Sequence, residues 1–232
     1  MSAGAPLLTG RRLAWLGGAA VLVAVLVWVL AFSSLLGAKH IQVNGTSVLT
    51  KQAVTTAAGI GTGAPLLRLD TEAVARRIEQ LPDVASATVN TRLPGTVTIT
   101  VREREPVGFV VSGDGFMLVD KTGRQFRAVT AAPAGLPKFV IPSAPSNAQP
   151  GADATGQGVA SVAAALSTKI RSQLTSINSQ NPSSITLQLT DGRWVRWGSA
   201  ELNAQKAALL PALLQQSGTV FDVSDPSLVY SH

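Results

Sequence analysis

Hydrophobic and polar positions change their rhythm twice along this chain. From Leu13 to Phe32 no position is charged and Leu, Val, Ala and Trp dominate. The uncharged stretch continues to Ala38, with Ser33, Ser34 and Gly37 as its weak points. Leu13–Leu36 spans 24 residues, about 36 Å of helix at 1.5 Å per residue, enough to cross a hydrocarbon core with some tilt. A surface helix of a soluble domain needs a polar face and this run has none, so residues 13–36 are expected to span a membrane. A cleaved signal peptide is the rival reading, but its apolar core is shorter, roughly 7–15 residues, and ends at a small-x-small site. The one such site, Ala31-Phe32-Ser33, lies inside the run. The anchor is therefore expected to stay, with residues 1–12 as a short tail.

Beyond Lys39 the rhythm shortens. His40-Ile41-Gln42-Val43 alternates and ends at the turn pair Asn44-Gly45, which predicts a strand. Thr50 is placed to cap a helix over Lys51–Ala58, with Gly59 as its stop. Asp70 or Thr71 caps a second helix from Glu72 to about Gln80. Val74, Ile78 and Leu81 share one of its faces, and Pro82 ends it. Asp83–Arg92 reads as a strand, Leu93-Pro94-Gly95-Thr96 as a tight turn, and Thr96–Arg104 alternates strictly, with Val97, Ile99 and Val101 on one face. The order over residues 37–106 is β-α-α-β-β, enough for two helices to cover one face of a three-stranded sheet.

Glu105-Pro106 marks the second change. Residues 107–232 read as a mixed, mainly antiparallel β-domain with two helices, making the outer part α+β. Gly108–Ser112 and Phe116–Asp120 flank Gly113-Asp114-Gly115, a hairpin signal. Asp120-Lys121-Thr122-Gly123 turns into a strand over Arg124–Val129, and residues 142–158 read as a surface loop rich in Pro, Ser and Gly. A helix is expected from about Val159 to Leu174, on the stripe Val162, Leu166, Ile170 and Leu174. A hairpin follows, Ser184–Leu189 and Arg193–Gly198 about Thr190-Asp191-Gly192. The last helix spans about Ala200–Gln216, with Pro211 inside it to kink or break it. The chain closes on Val220–Val223 and Leu228-Val229-Tyr230.

Charge adds orientation. Arg11 and Arg12 precede the apolar run, Lys39 follows it, and the first acidic residue is Asp70. The positive-inside rule then puts the N-terminus in the cytoplasm and the roughly 195 residues after the span outside. Absence of cysteine suits an oxidising compartment without proving one. The net charge of +6 is scattered and interleaved with Glu and Asp after residue 68. It forms no aromatic-basic stripe, so it reads as a slightly basic surface near lipid headgroups or wall polymers rather than a nucleic-acid site.

The inventory for catalysis is thin. The only histidines are His40, beside the span, and His232, the last residue, and neither suits a nucleophile–base pair. Glu103 and Glu105 share a strand face, with Arg102 and Arg104 on the other, which reads as a charged strand end. Asp114, Asp120 and Asp191 stand in Gly-containing turns, where Asp caps backbone. Gly59-Ile60-Gly61-Thr62-Gly63 lacks the lysine of a phosphate cradle. No catalytic, cofactor or metal residue is assigned, and no small-molecule substrate is expected. What remains is recognition by surfaces. A final strand at about Ser227–Ser231 has no later segment to pair with, and an open edge accepts a partner's strand. Trp194 and Trp197 fall on opposite faces of one strand, so one ring is available to a wall polymer together with Arg193 or Arg196.

Several segments in this order resemble the FtsQ/DivIB family of bacterial division proteins: Ile41-Gln42-Val43-Asn44-Gly45, Pro65-Leu66-Leu67-Arg68-Leu69-Asp70, Leu81-Pro82-Asp83-Val84, Ala87-Thr88-Val89, Leu93-Pro94-Gly95-Thr96 and Val101-Arg102-Glu103-Arg104-Glu105-Pro106. Phe116–Gly123 and Val220–Ser224 extend the likeness over nearly the whole chain, and the abundance of Ala suggests an actinobacterial member. The resemblance implies a POTRA domain over 37–106 followed by an FtsQ-type β-domain. It also implies a non-enzymatic role at the division septum, in the cell membrane. Its implied partners are FtsB and FtsL at Phe221, Asp222, Val223, Ser224, Asp225, Leu228, Val229, Tyr230 and Ser231, and FtsK, FtsW and FtsI on the POTRA face. Outer-membrane proteins with POTRA domains carry a barrel of many ten-residue strands, for which residues 107–232 have too few strands. A membrane-tethered wall-polymer-binding module is the alternative.

Overall fold

The computed structural model describes residue 15 and residues 17–25, 37–142 and 153–227. Trp15 and residues 17–25 are helical. The rest of the expected span lies outside the described residues, and among the described residues no helix is long and apolar enough to cross a membrane. Most of the expected loop, 143–152, and residues 228–231 of the last strand expected at about Ser227–Ser231 also lie outside them. The chain divides into two compact units, Met1–Glu103 and Arg104–His232.

In the first unit β1 (His40–Asn44) is followed by α1 (Lys51–Ala58), a single 3₁₀ turn (Leu66–Arg68), α2 (Thr71–Glu79), β2 (Val84–Arg92) and β3 (Thr96–Glu103). The helices start where side chains accept their first free amides: Thr50 Oγ1 from Ala53 N at 3.1 Å and Asp70 Oδ1 from Ala73 N at 2.8 Å. Of the two caps the sequence offers for α2, Asp70 is the one used. The sheet order is β1-β3-β2, with β1 parallel and β2 antiparallel to β3. Val54, Val74 and Ile78 from the helices meet Val97, Ile99 and Val101 from β3 in one buried core. Gly45 turns the chain out of β1 at φ +81°, and a Cβ there would lie 2.0 Å from the Val101 carbonyl oxygen.

The second unit is built on one eight-stranded mixed sheet. Its strands are β4 (Pro106–Ser112), β5 (Gly115–Asp120), β6 (Gln125–Val129), β7 (Lys138–Val140), β8 (Leu174–Asn178), β9 (Ile185–Leu189), β10 (Trp194–Gly198) and β11 (Val220–Asp222). They lie in the order β11-β10-β9-β8-β7-β4-β5-β6. Three neighbour pairs, β10/β11, β7/β8 and β4/β7, are parallel, and the rest are antiparallel. One face carries α3 (Ala154–Ala165), α4 (Thr168–Arg171) and α5 (Asn203–Leu213) over a core that includes Val159, Val162, Ile177, Leu187, Trp197 and Leu210. Around β4 and β5 a smaller cluster gathers Phe109, Leu118 and Phe126, with Phe116 edge-on to Phe109 at 5.3 Å. Gly108 lets Phe139 lie on β4, since a Cβ there would sit 2.2 Å from that ring.

Two expectations need correction. The helix expected over Val159–Leu174 is two helices and the start of a strand. Leu166 is extended (ψ 140°), and the Ser167 hydroxyl then accepts from Ile170 N to begin α4. Leu174 opens β8, so the four-residue apolar spacing runs across two breaks and imitates one helix. The expected loop 142–158 also reaches too far, because residues 154–158 belong to α3, capped by Asp153. Elsewhere differences are small: α5 ends at Leu213, two residues past Pro211, and β3 stops at Glu103. Glu105 therefore lies off the strand and shares no strand face with Glu103.

Candidate partner-binding edge

The edge begins with two strands of opposite environment on their two faces. On β10 and β11, Val195, Trp197 and Phe221 point into the core, as does Val223 just past β11, while Trp194, Arg196, Val220 and Asp222 are exposed. The parallel register pairs Trp194 with Val220 and Arg196 with Asp222. Trp194 is 38% exposed and Val220 59%, so the outer face carries one apolar pair beside one ion pair, Arg196 to Asp222 at 3.4 Å.

The backbone sets which groups face outward. Trp194 N donates to Thr219 O at 2.9 Å and Val223 N to Arg196 O at 3.0 Å. Residues 219, 221 and 223 thus turn their amide groups to β10, and the N–H and C=O of Val220 and Asp222 point the other way. Among the described residues no strand covers that side. This is a short template for an added strand.

The edge is held firmly from behind. Arg193 donates to Leu214 O at 2.8 Å and to Asp191 Oδ2 at 2.7 Å, and its guanidinium lies 5.5 Å from the centre of the Phe221 ring. The Asp222 carboxylate accepts from Ser224 N (2.9 Å) and Ser224 Oγ (2.6 Å), and Asp225 repeats the pattern with Ser227. Desolvation pushes the Asp222 carboxyl up, but Ser224 and Arg196 outweigh it and hold it below the ordinary range. The Ser227 hydroxyl and amide do the same for Asp225. Of the sequence-derived partner residues, Phe221, Asp222 and Val223 thus belong to the edge, and Ser224 and Asp225 form the turn after it. Leu228, Val229, Tyr230 and Ser231 lie outside the described residues.

A second group behind the edge escaped sequence reasoning. Trp197 is fully buried and donates its indole N–H to Asn203 Oδ1 at 2.9 Å, and Asn203 Nδ2 donates to Ser161 Oγ at 3.1 Å. Lys206, 1% exposed, donates to the carbonyl oxygens of Trp197 (3.0 Å) and Ser199 (2.9 Å). The signal was present, since Lys206 stands four residues before the buried Leu210, on the apolar stripe of α5.

The remaining candidates resolve into structural roles. The Glu103 carboxylate accepts from the amides of Ser47, Val48 and Leu49 and from the Ser47 hydroxyl. Asp120 accepts from Thr122 and Arg124 and is ion-paired with Arg104, both side chains being nearly buried. Asp191 binds its own turn through Arg193 N at 3.0 Å. Gly59 is the left-handed stop of α1, and His40 is exposed at the start of β1. Among the described residues no group of three His, Asp or Glu could hold a metal ion.

A β-α-α-β-β unit followed by a mixed sheet, with β11 at its edge among the described residues, is the architecture of a POTRA-type unit with a C-terminal β-domain. Residues 36–104 match the family described as POTRA domain, FtsQ-type, and residues 108–226 match the family described as cell division protein FtsQ/DivIB, C-terminal. The chain belongs to the FtsQ/DivIB family of cell-division proteins. It is 37% identical over 218 residues to cell division protein FtsQ of Mycolicibacterium smegmatis, covering 94% of this chain and 64% of that one. Against FtsQ of Mycobacteroides abscessus the identity is 38% over 201 residues, covering 86% and 63%. Against FtsQ of Streptomyces venezuelae it is 38% over 215 residues, covering 90% and 79%. The chain thus spans less than two thirds of those mycobacterial relatives, and all three come from actinobacteria, the group expected from its composition. A solved structure, the major extracytoplasmic domain of DivIB from Geobacillus stearothermophilus, aligns with 18% identity and a TM-score of 0.36, covering 48% of this chain and 91% of that one.

Proposed function

We propose that this chain is a non-enzymatic, single-span scaffold of the division septum, with its N-terminus in the cytoplasm and both folded units outside. It recruits FtsB- and FtsL-like single-span proteins through the β11 edge, and FtsK, FtsW and FtsI through the POTRA unit. The observation that carries the reading is the outward-facing N–H and C=O of Val220 and Asp222 beside the exposed Trp194–Val220 pair. The backbone groups give a partner strand its hydrogen bonds, and the apolar pair gives it an anchor. Membership of the family supports the septal role. The exposed Val21, Leu22, Val23 and Val25 of the N-terminal helix support the anchor, since apolar side chains in such number need a non-aqueous surrounding.

Val220→Pro is the test. Its ring removes an outward N–H while leaving the bonds of residues 219, 221 and 223 to β10 in place. The variant is expected to keep its fold, read by circular dichroism and cooperative thermal unfolding, and to lose capture of an FtsB-like partner from detergent-solubilised membranes. Undiminished capture by the folded variant sinks the strand-addition reading.

The second reading, a wall-polymer-binding module, rests on Trp194 alone, because Trp197 is buried. Saturable sedimentation with purified peptidoglycan, lost on Trp194→Ala, is the result that favours it.

A further inference from the structure

Two turns of the first unit are fastened to the residues that directly follow the apolar run. Ala38 N donates to Ala64 O at 2.9 Å, Gly63 N to Ala38 O at 2.9 Å, and Gly37 bridges to Pro65. From the other side Lys39 N and His40 N donate to Gly95 O at 2.8 and 3.0 Å. Each turn carries an exposed leucine next to an exposed arginine: Leu67, 56% exposed, beside Arg68, and Leu93, 52% exposed, beside Arg92. Lys39 between them is exposed as well.

A single exposed leucine needs no explanation. Two of them, each paired with a cation and each on a turn bonded to residues 37–40, form a pattern. The geometry points to a docking surface for anionic phospholipid headgroups at this end of the POTRA unit, with Leu67 and Leu93 entering the headgroup layer and Lys39 and Arg92 binding phosphate. Charge complementarity favours this occupant. Neither stretch that carries these turns, residues 37–69 and 84–102, contains an acidic residue, so the exposed Lys39, Arg68 and Arg92 set the sign of the surface. The inference rests on the single-span reading, which puts residue 36 at the membrane surface. It deepens that reading, because a docked unit is held against the bilayer rather than swinging from it.

The absence of cysteine makes single-cysteine labelling clean. The full chain carrying Leu67→Cys, Leu93→Cys or Val48→Cys, each labelled with an environment-sensitive dye, is reconstituted into two kinds of vesicle. One is phosphatidylcholine alone, and the other is phosphatidylcholine mixed with phosphatidylglycerol. Val48 is the control, being exposed beyond the opposite end of β1. The dye at positions 67 and 93 should shift to the blue and be quenched by headgroup spin-labelled lipid in the anionic vesicles, and the dye at 48 should stay water-like. Quenching should fall on the order of twofold or more in high salt, since exposed charges are screened, and also in a Lys39→Ala, Arg92→Ala background. Water-like emission at all three positions in a chain that resists carbonate extraction overturns the docking surface and leaves the anchor standing. Equal quenching in pure phosphatidylcholine overturns the anionic specificity. Release of the chain by carbonate overturns the single-span reading and this inference with it.

Discussion

Lys206 Nζ donates to the carbonyl oxygen of Trp197 at 3.0 Å while lying 6.0 Å from the centre of the same residue's ring. One ammonium thus closes the end of β10, through Trp197 and Ser199, and ties it to α5. Lys206→Met should leave both carbonyls short of a donor, a loss partly offset by removing a buried charge. The expected cost is about 1–2 kcal/mol, read as a lower urea midpoint in tryptophan fluorescence.

The same lysine gives an alkaline signature. Desolvation lowers its pKa below the ordinary 10.5, against the pull of Glu201, Asp225 and Asp222. Between the folded value and 10.5 the unfolded chain binds the extra proton, so stability rises with pH across that window. Wild type should gain on Lys206→Met as pH climbs toward 10.5. A gap that stays flat with pH counts against a charged, buried Lys206.

Glu103 predicts the opposite limb. Partial desolvation pushes its carboxyl up, but the Ser47 hydroxyl and the amides of Leu49, Ser47 and Val48 outweigh this and hold it at about 2, against 4.5. Its contribution is complete above pH 4.5 and is lost as pH falls toward 2. Glu103→Gln should cost about 1 kcal/mol at neutral pH, an amount discounted for solvent screening. It should also flatten the acid limb, and hydrogen exchange at Ser47, Val48 and Leu49 should quicken in the same variant.

Arg104 and Asp120 form a nearly buried ion pair, with side chains 9% and 5% exposed. Asp120→Asn takes the carboxylate from the Arg104 guanidinium and weakens the Thr122–Arg124 turn. The expected loss is about 3 kcal/mol, larger than for any exposed pair such as Glu72–Arg76. Thermal unfolding of the second unit, followed by Trp fluorescence, measures it.

Leu202 begins α5 at φ 54° with its side chain 55% exposed. A branched residue in the left-handed region costs about 1–2 kcal/mol, and little burial is lost by removing this one. Leu202→Gly should therefore stabilise the second unit by about 0.5–1 kcal/mol, seen as a raised melting temperature.

Legibility in the sequence followed the range of the interactions. The first unit was readable because its signals are local: Thr50 and Asp70 cap, Gly59 stops, Pro82 breaks, and Val97, Ile99 and Val101 alternate. In the second unit the decisive relations are distant. Ser167 begins a helix inside what looks like one apolar stripe, and β8 follows at Leu174 with pairing partners in β7 and β9. Gly156 and Gly158 read as loop residues, yet Gly158 packs against Ile185 and Ala200 across the core. The outward side of Val220 and Asp222 was equally hidden, because it depends on β11 running parallel to β10 after α5. Sequence reasoning proposed a recognition site around Phe221 and Asp222 as positions, but it could not say which backbone groups face away from the sheet.

That parallel pairing has a consequence in time. β11 is the last described strand to leave the ribosome, and it can be laid down only on a β10 that is already in place with α5 folded across it. A chain cut short before Val220, or one whose sheet has not closed, has no β11 edge to offer. The edge is therefore a late feature of the fold, present only once the rest of the second unit has been made and folded.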